Sequence, residues 1–346
     1  MQALILAGGK GTRLRPLTVY TPKPIVPVVN RPFLLYQLEV LKRAGIEDIT
    51  LSLSYQPDKI EQLLGDGSEY GVRLRFVTEP SPLGTAGAYR FASDGKDEPM
   101  LVLNGDILTD ADLSKLIDHH REAGAEATIA LARVEDTSDY GLVVIDKARR
   151  IRRFIEKPTP GASATEKTNT VNAGVYVLEP AIRDRIPKDE NCSFEYQVFP
   201  DLLKDHKPFQ AYDLSGAYWR DLGTPANYLA AHLDFLAGRV KGFDLQRENT
   251  SDIATSSVID TVSVIGEGCV IKPNAHIRNS VLGPGVHIEE RATIENSVLW
   301  SHTRVSTFAE IKGAVIGRGC FIGRNASIDE GVVLGDKASI PDYSFT

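Results

Sequence analysis

The stretch Leu4–Pro16, LILAGGKGTRLRP, decides the reading of the fold. Leu4, Ile5, Leu6 and Ala7 form an apolar run cut off sharply by glycine, which predicts a short buried strand. Gly8, Gly9 and Gly11 follow, then Thr12, Arg13 and Arg15. Glycines allow a tight turn and a close approach, so backbone N–H groups can converge on anionic oxygens. The arginines beside the turn add forked cationic donors suited to phosphate. The spacing matches neither the P-loop nor the dinucleotide GxGxxG pattern.

Outward from this turn, residues up to about 238 alternate short apolar runs with helical patterns. Ala3–Ala7, Ile49–Leu53, Leu74–Val77, Met100–Leu103 and Thr128–Ala132 predict strands. Phe33–Ala44, Asp58–Leu64 and Ala111–Glu122 predict helices. Such alternation predicts an α/β fold, Rossmann-like, with a mostly parallel sheet. Ligands in these sheets bind at the carboxyl ends of strands, where the Gly8–Gly11 turn falls.

Further motifs carry candidate chemistry. In TPKP, Lys23 stands between Pro22 and Pro24, a stiff segment that aims an ammonium at phosphate. In EPSPLGTAGAYRF, Gly84 and Gly87 flank Thr85, which is expected to cap the following helix. Glu79 suits guanine, whose N1–H and N2 amino group lie side by side; uracil and thymine are served better by an amide. Asp106 in NGDIL follows an apolar strand, and Asp221 in YWRDLGTP precedes the helix begun by Thr224 and Pro225. Carboxylates so placed suit Mg²⁺, a hard cation that takes one or two protein carboxylates plus phosphate and water. Glu156 and Asn172 can meet sugar hydroxyls, Lys157 a sugar phosphate, and Gly141 permits a sugar ring to approach the backbone.

LAGGKGTRLRPLT, TPKP, PLGTAGA, NGD, YGLV, FIEKP, NAGVYVL and YWRDLGTP, in this order, resemble the sugar-phosphate nucleotidyltransferases, which make NDP-sugars and release pyrophosphate. PLGTAGA and SFEYQVFP (193–200) are most similar to the branch that joins GTP and mannose-1-phosphate into GDP-mannose. The resemblance implies that Arg13 and Lys23 contact nucleotide phosphates, Lys157 grips the sugar phosphate, and Asp106 and Asp221 carry Mg²⁺. It places the nucleotide along Leu6, Ala7, Gly8, Gly9, Gly11, Thr12 and Arg13, with Glu79, Gly84 and Thr85. The sugar phosphate then lies by Gly105, Gly141, Glu156, Lys157 and Asn172. Thymidylyl or uridylyl transfer to glucose-1-phosphate is the alternative within the class, and a silent subunit that senses a nucleotide sugar the alternative outside it.

Residues 239–256 read as a polar linker, and 257–346 as a second domain built on an internal repeat. Aliphatics recur at Ile265, Ile271 and Ile277, then Leu282, Ile288 and Ile294, with steps of six, six and five that repeat every 17 residues. Small residues such as Ser263, Cys269, Ala275, Ser280 and Cys320 lie two positions before the aliphatics. Three short faces per coil predict a parallel β-helix, and resemblance to hexapeptide-repeat proteins implies a left-handed one. Cys269 and Cys320 are 51 residues, three coils, apart. At about 4.8 Å per coil that is roughly 14 Å, too far for a disulfide, so both read as packing residues. Trp300 falls in the corner column of Gly266, Gly283 and Gly317, where it is expected to protrude and to serve a subunit contact. His276, His287 and His302 raise acyl transfer, but about five coils without an insertion loop leave no evident acyl-donor site.

The 346 residues carry a formal charge of −7, which offers nucleic acid no basic surface. The N-terminal apolar run is too short for a signal peptide, and no stretch approaches a membrane span. Three cysteines, none in a metal-ligand spacing, suggest reduced thiols in the cytoplasm. A homo-oligomer, dimer or tetramer, is expected because a β-helix end must be covered.

Overall fold

A computed structural model describes residues 1–138, 140–155, 168–245 and 250–346. Its contacts divide the chain into two units, Met1–Gly9 with Gln37–Trp219, and Lys10–Tyr36 with Arg220–Thr346.

The first unit is built on β1 (Gln2–Leu6). β2 (Asp48–Leu53) and β4 (Met100–Asn104) pair with it in parallel, one on each edge. A strand flanked on both edges is apolar throughout, which explains the uninterrupted run Ala3–Ile5, fully buried. α1 (Phe33–Arg43, of which Gln37 onward belongs to this unit), α2 (Pro57–Leu64), α3 (Gly84–Ala92) and α4 (Leu113–Ala123) alternate with the strands, and β3 (Arg73–Thr78) extends the parallel part beyond β2.

Past β4 the sheet changes character. β5 (Ala127–Arg133), β6 (Leu142–Ile145), β7 (Ile151–Ile155), β8 (Thr170–Leu178) and β9 (Phe209–Asp213) complete nine strands among the described residues, in the order β7-β6-β8-β4-β1-β2-β3. β5 pairs with both β8 and β9, off that path. β8 runs antiparallel to β4, β5 and β6. Its register against β5 breaks between Asn172 and Tyr176, and Gly174 sits in the break at φ +69°. A side chain there would be strained, and its Cβ would lie 2.8 Å from Asn104 Nδ2.

The second unit contains α6 (Pro225–Leu236; α5 is Phe199–Lys204 of the first unit) and the coiled repeat. Thr224 caps α6, its Oγ accepting from Asn227 N at 3.2 Å, as the TP dipeptide predicts. From Asp252 onward, strands of two or three residues stack in parallel into three sheets. Ile271, Ile288, Val305, Ile322 and Ile340 form one column at rises of 17, 17, 17 and 18 residues, the period read from the sequence. Their side chains and those of two matching columns fill the interior, with Cys269 and Cys320 among them as free, buried packing residues. The first stacked pair, Asp252–Ile253 on Val270–Ile271, falls within the stretch 239–256.

One sheet differs from the other two. The outward positions Val264, Val281, Val298 and Val315 are at most 2% exposed. The adjoining corner holds Gly266, Gly283 and Gly317, where a Cβ would meet the next rung's backbone at 2.6–2.7 Å. Trp300, in the same column, does not protrude. It is 2% exposed, and its Nε1 donates to the Tyr228 hydroxyl of α6 at 2.9 Å. The expectation of an exposed Trp is corrected because an N–H donor and a large ring are satisfied inside the unit.

Candidate active site

Leu6 ends β1, and the backbone leaves the sheet at Ala7, whose N–H donates to Ser52 O at 2.9 Å. Gly105 N donates to Leu6 O at 2.9 Å, and a Cβ on Gly105 would lie 2.6 Å from that oxygen. The NGD turn is therefore pressed against the start of the glycine turn, with Asp106 half-buried next to it. Gln37 of α1, 3% exposed, donates both amide hydrogens to that turn, to Asn104 O and Ile107 O at 2.9 Å each. It brackets Asp106, and the only sequence signal for it was a polar residue within an apolar helix face.

Glu79 follows β3 and leans over Gly8, where a Cβ would sit 2.8 Å from Glu79 Oε1 and 3.0 Å from Ser54 Oγ. Ser52 Oγ donates to Glu79 Oε1 at 2.9 Å, and Leu83 N donates to Oε2 at 3.2 Å. Each carboxylate oxygen keeps a second lone pair. Leu6, Ala7, Gly8, Glu79 and Gly105 are thus brought together.

A second cluster gathers around Glu195, from the SFEYQVFP stretch. Thr85 lies inside α3 and does not cap it; the capping position is Leu83, without a side-chain bond. Thr85 Oγ1 instead donates to Glu195 Oε2 at 2.9 Å and accepts from Phe194 N at 3.0 Å. A Cβ on Gly84, at φ +73°, would lie 2.5 Å from Cys192 O, so this corner admits only glycine. Ser193 Oγ also donates to Glu195 Oε2, at 2.6 Å, and the Tyr176 hydroxyl donates to Oε1 at 3.4 Å. That hydroxyl accepts from Asn172 Nδ2 at 2.9 Å, while Gly174 N donates to Asn172 Oδ1 at 2.9 Å. Burial holds the Tyr176 hydroxyl well above its usual range, so it stays protonated and can donate. Asn172 N donates to Gly141 O at 2.9 Å, which joins these two expected sugar-side residues. Glu156 and Lys157 lie outside the described residues.

In the second unit, Gly11 at φ +61° caps the short turn Thr12–Leu14, and Thr18 Oγ1 donates to its carbonyl at 2.7 Å. Thr12 and Arg13 are exposed, as is Gly9 of the first unit. Lys23 is nearly buried, and a Cβ on Gly11 would meet its Cβ at 3.0 Å. Asp221, 8% exposed, accepts from Asn227 Nδ2 at 2.6 Å and Gly223 N at 3.4 Å, both through Oδ1. A Cβ on Gly223 would sit 3.1 Å from Asp221 Oδ2 and 3.0 Å from Arg13 Nη2. Gly223 therefore leaves room for a carboxylate and a guanidinium side by side. Asp106 and Asp221 both offer hard oxygen donors, the chemistry that fits Mg²⁺. No group of three or more His, Cys, Asp or Glu converges among the described residues.

The model of the nucleotidyl transferase family matches residues 2–238. The chain belongs to this family. The remainder of this nucleotidyl transferase, 244–344, matches the LbH (left-handed β-helix) domain of EIF2B subunit epsilon, which gives the coil its hand. The chain is 39% identical to a mannose-1-phosphate guanyltransferase of Aspergillus oryzae, over 99% of this chain and 93% of that one. It is 36% identical to a mannose-1-phosphate guanylyltransferase of Mycobacterium tuberculosis, over 80% and 78%. Among solved structures, HddC of Yersinia pseudotuberculosis matches at TM-score 0.58 and 32% identity, covering 68% of this chain and 99% of that one. No helix among the described residues is long and apolar enough to cross a membrane.

Proposed function

We propose that this nucleotidyl transferase joins GTP and mannose-1-phosphate into GDP-mannose and releases pyrophosphate. The observation that carries the choice of base is Glu79, held by Ser52 and Leu83 N beside the glycine turn with one lone pair left on each oxygen. Guanine N1–H and N2–H can address those two oxygens together, whereas uracil and thymine offer one N–H between two carbonyls. Similarity to the mannose-1-phosphate guanyltransferases of Aspergillus oryzae and Mycobacterium tuberculosis supports the same base and the same sugar.

The sugar-phosphate oxygen attacks the α-phosphorus in line, and pyrophosphate leaves from the opposite side. The nucleophile is already an anion, so no general base is required, and alignment with charge neutralisation supplies the acceleration. Arg13 and Lys23 offset charge on the nucleotide phosphates. Backbone N–H groups of the glycine turn address the same oxygens. Asn172 and Gly141 meet the sugar, with Glu156 and Lys157 in the roles the FIEKP motif implies. Mg²⁺, held by Asp106 and Asp221, would supply Lewis-acid charge stabilisation worth several kcal/mol.

Turnover of GTP, dTTP, UTP and ATP against mannose-, glucose- and galactose-1-phosphate tests this reading. GTP with mannose-1-phosphate is expected to give the highest kcat/KM. A preference for dTTP or UTP with glucose-1-phosphate would overturn it, and no pyrophosphate with any pair would make the chain a silent subunit.

A further inference from the structure

Trp300 is the single large side chain in a corner column of glycines, and it is spent on a buried hydrogen-bond chain. Its Nε1 donates to the Tyr228 hydroxyl at 2.9 Å, and that hydroxyl donates to Pro27 O. Both rings are at most 2% exposed. Two more rungs of the coil meet the same N-terminal segment. Asn30 Nδ2 donates to Leu282 O at 2.8 Å, and the position a Cβ on Gly335 would take is 3.1 Å from Pro16 Cβ. Pro16, Pro27 and Asn30 bracket the strip that carries Lys23, and Arg13 lies three residues before the first of them.

We infer that the β-helix is a positioning element for nucleotide-phosphate binding, acting through Trp300 and Tyr228 on the TPKP segment; this rests on the reading of Arg13 and Lys23 as phosphate contacts. The physical reason is that Pro27 O is the acceptor for a donor that is itself held by the coil. Pro22, Pro24 and Pro27 lack N–H groups, so the backbone bonds around Lys23 are those of a short turn, Ile25 N to Pro22 O at 3.0 Å and Val26 N to Lys23 O at 3.2 Å, and bonds received from outside the segment bear on its position. Removing the Tyr228 hydroxyl leaves Trp300 Nε1 without its acceptor and takes from Pro27 O the donor that the coil holds in place. The segment then samples arrangements in which Lys23 is displaced. Apparent affinity falls by the fraction of time the competent arrangement is lost.

The test uses the full chain and three variants, Tyr228→Phe, Trp300→Phe and Asn30→Gly. The first two keep a ring and delete a donor; the third keeps the positive φ of 63° and removes only the amide. Binding of tripolyphosphate, which carries neither base nor sugar, is measured by calorimetry beside the KM of each substrate. Tyr228→Phe and Trp300→Phe are expected to weaken tripolyphosphate binding and raise the KM for GTP by about tenfold, with the KM for mannose-1-phosphate within about twofold of wild type. Asn30→Gly, which should fold even if a ring variant does not, is expected to shift the same two quantities by a smaller factor. Variants that melt earlier yet bind tripolyphosphate and GTP as wild type does would reduce the chain of bonds to scaffolding and overturn the inference. Lys23→Ala is the control for the underlying reading: if it leaves tripolyphosphate binding unchanged, the phosphate role of the segment fails first, and the inference with it.

Discussion

The Glu79 carboxylate occupies the space that Gly8 leaves empty, with Oε1 placed 2.8 Å from where a Gly8 Cβ would be. The glycine is required by a neighbouring side chain as well as by the turn. Gly8→Ala must move Glu79 or Ser54, and it is expected to raise the KM for GTP with little change in kcat at saturation. An unchanged KM would show that Glu79 is free to move without consequence.

Glu79→Gln tests the carboxylate itself. The amide cannot accept two hydrogen bonds from guanine on both atoms, so GTP should lose about 10- to 100-fold in kcat/KM, the range for one charge-assisted bond. dTTP and UTP should lose much less. Equal losses for all nucleotides would assign Glu79 to holding the loop at Leu83.

Asp106→Asn and Asp221→Asn remove one anionic oxygen donor each. Both are expected to lower kcat by orders of magnitude and to weaken Mn²⁺ binding measured directly by calorimetry, and chelation by EDTA should abolish turnover of wild type. In Asp221→Asn the bond to Asn227 can survive through the amide oxygen, so melting temperature should change by no more than a few degrees. Normal Mn²⁺ affinity in either variant would remove that aspartate from the metal.

Tyr176→Phe deletes the group that fixes the Asn172 amide and tethers it to Glu195. The KM for mannose-1-phosphate should rise several-fold while the KM for GTP stays near wild type. The reverse split would place this network on the nucleotide side, through Thr85.

His232 gives a pH dependence with a definite sign. Its Nδ1 accepts from Val29 N at 3.3 Å, and complete burial pushes its pKa from 6.5 down to about 3. The unfolded chain takes up a proton near pH 6.5 that the folded chain refuses until near pH 3. Stability is therefore full above pH 6.5 and falls as pH drops below it, by up to about 1.4 kcal/mol per pH unit. Melting curves of wild type and His232→Gln should converge as pH is lowered from 7.5 to 5; curves that stay parallel would contradict the buried neutral ring.

The repeat of the β-helix was legible because its period of 17 places one aliphatic per face per coil, a local rule that packing obeys at every rung. β1 and its turn were legible for the same kind of reason, a short apolar run ended by glycine. Trp300 was misread because the sequence shows only that a ring replaces glycine, while its burial depends on Tyr228, 72 residues earlier. The same limit hid Glu195 and Gln37, whose roles lie entirely in partners distant along the chain. Thr85 looked like a cap because local chemistry favours that use, but Glu195 and Phe194 N claim its hydroxyl instead. Nor did local pattern show that the glycine turn divides between units, with residues 1–9 in one and 10–36 in the other.

The most direct test of nucleotidyl transfer is the stoichiometry of products when purified protein is given GTP, mannose-1-phosphate and Mg²⁺. One pyrophosphate should appear for each GDP-mannose, with no inorganic phosphate and no GMP, and both products should vanish together in Asp106→Asn. Release of inorganic phosphate, or GDP-mannose formation undiminished in that variant, would contradict the account.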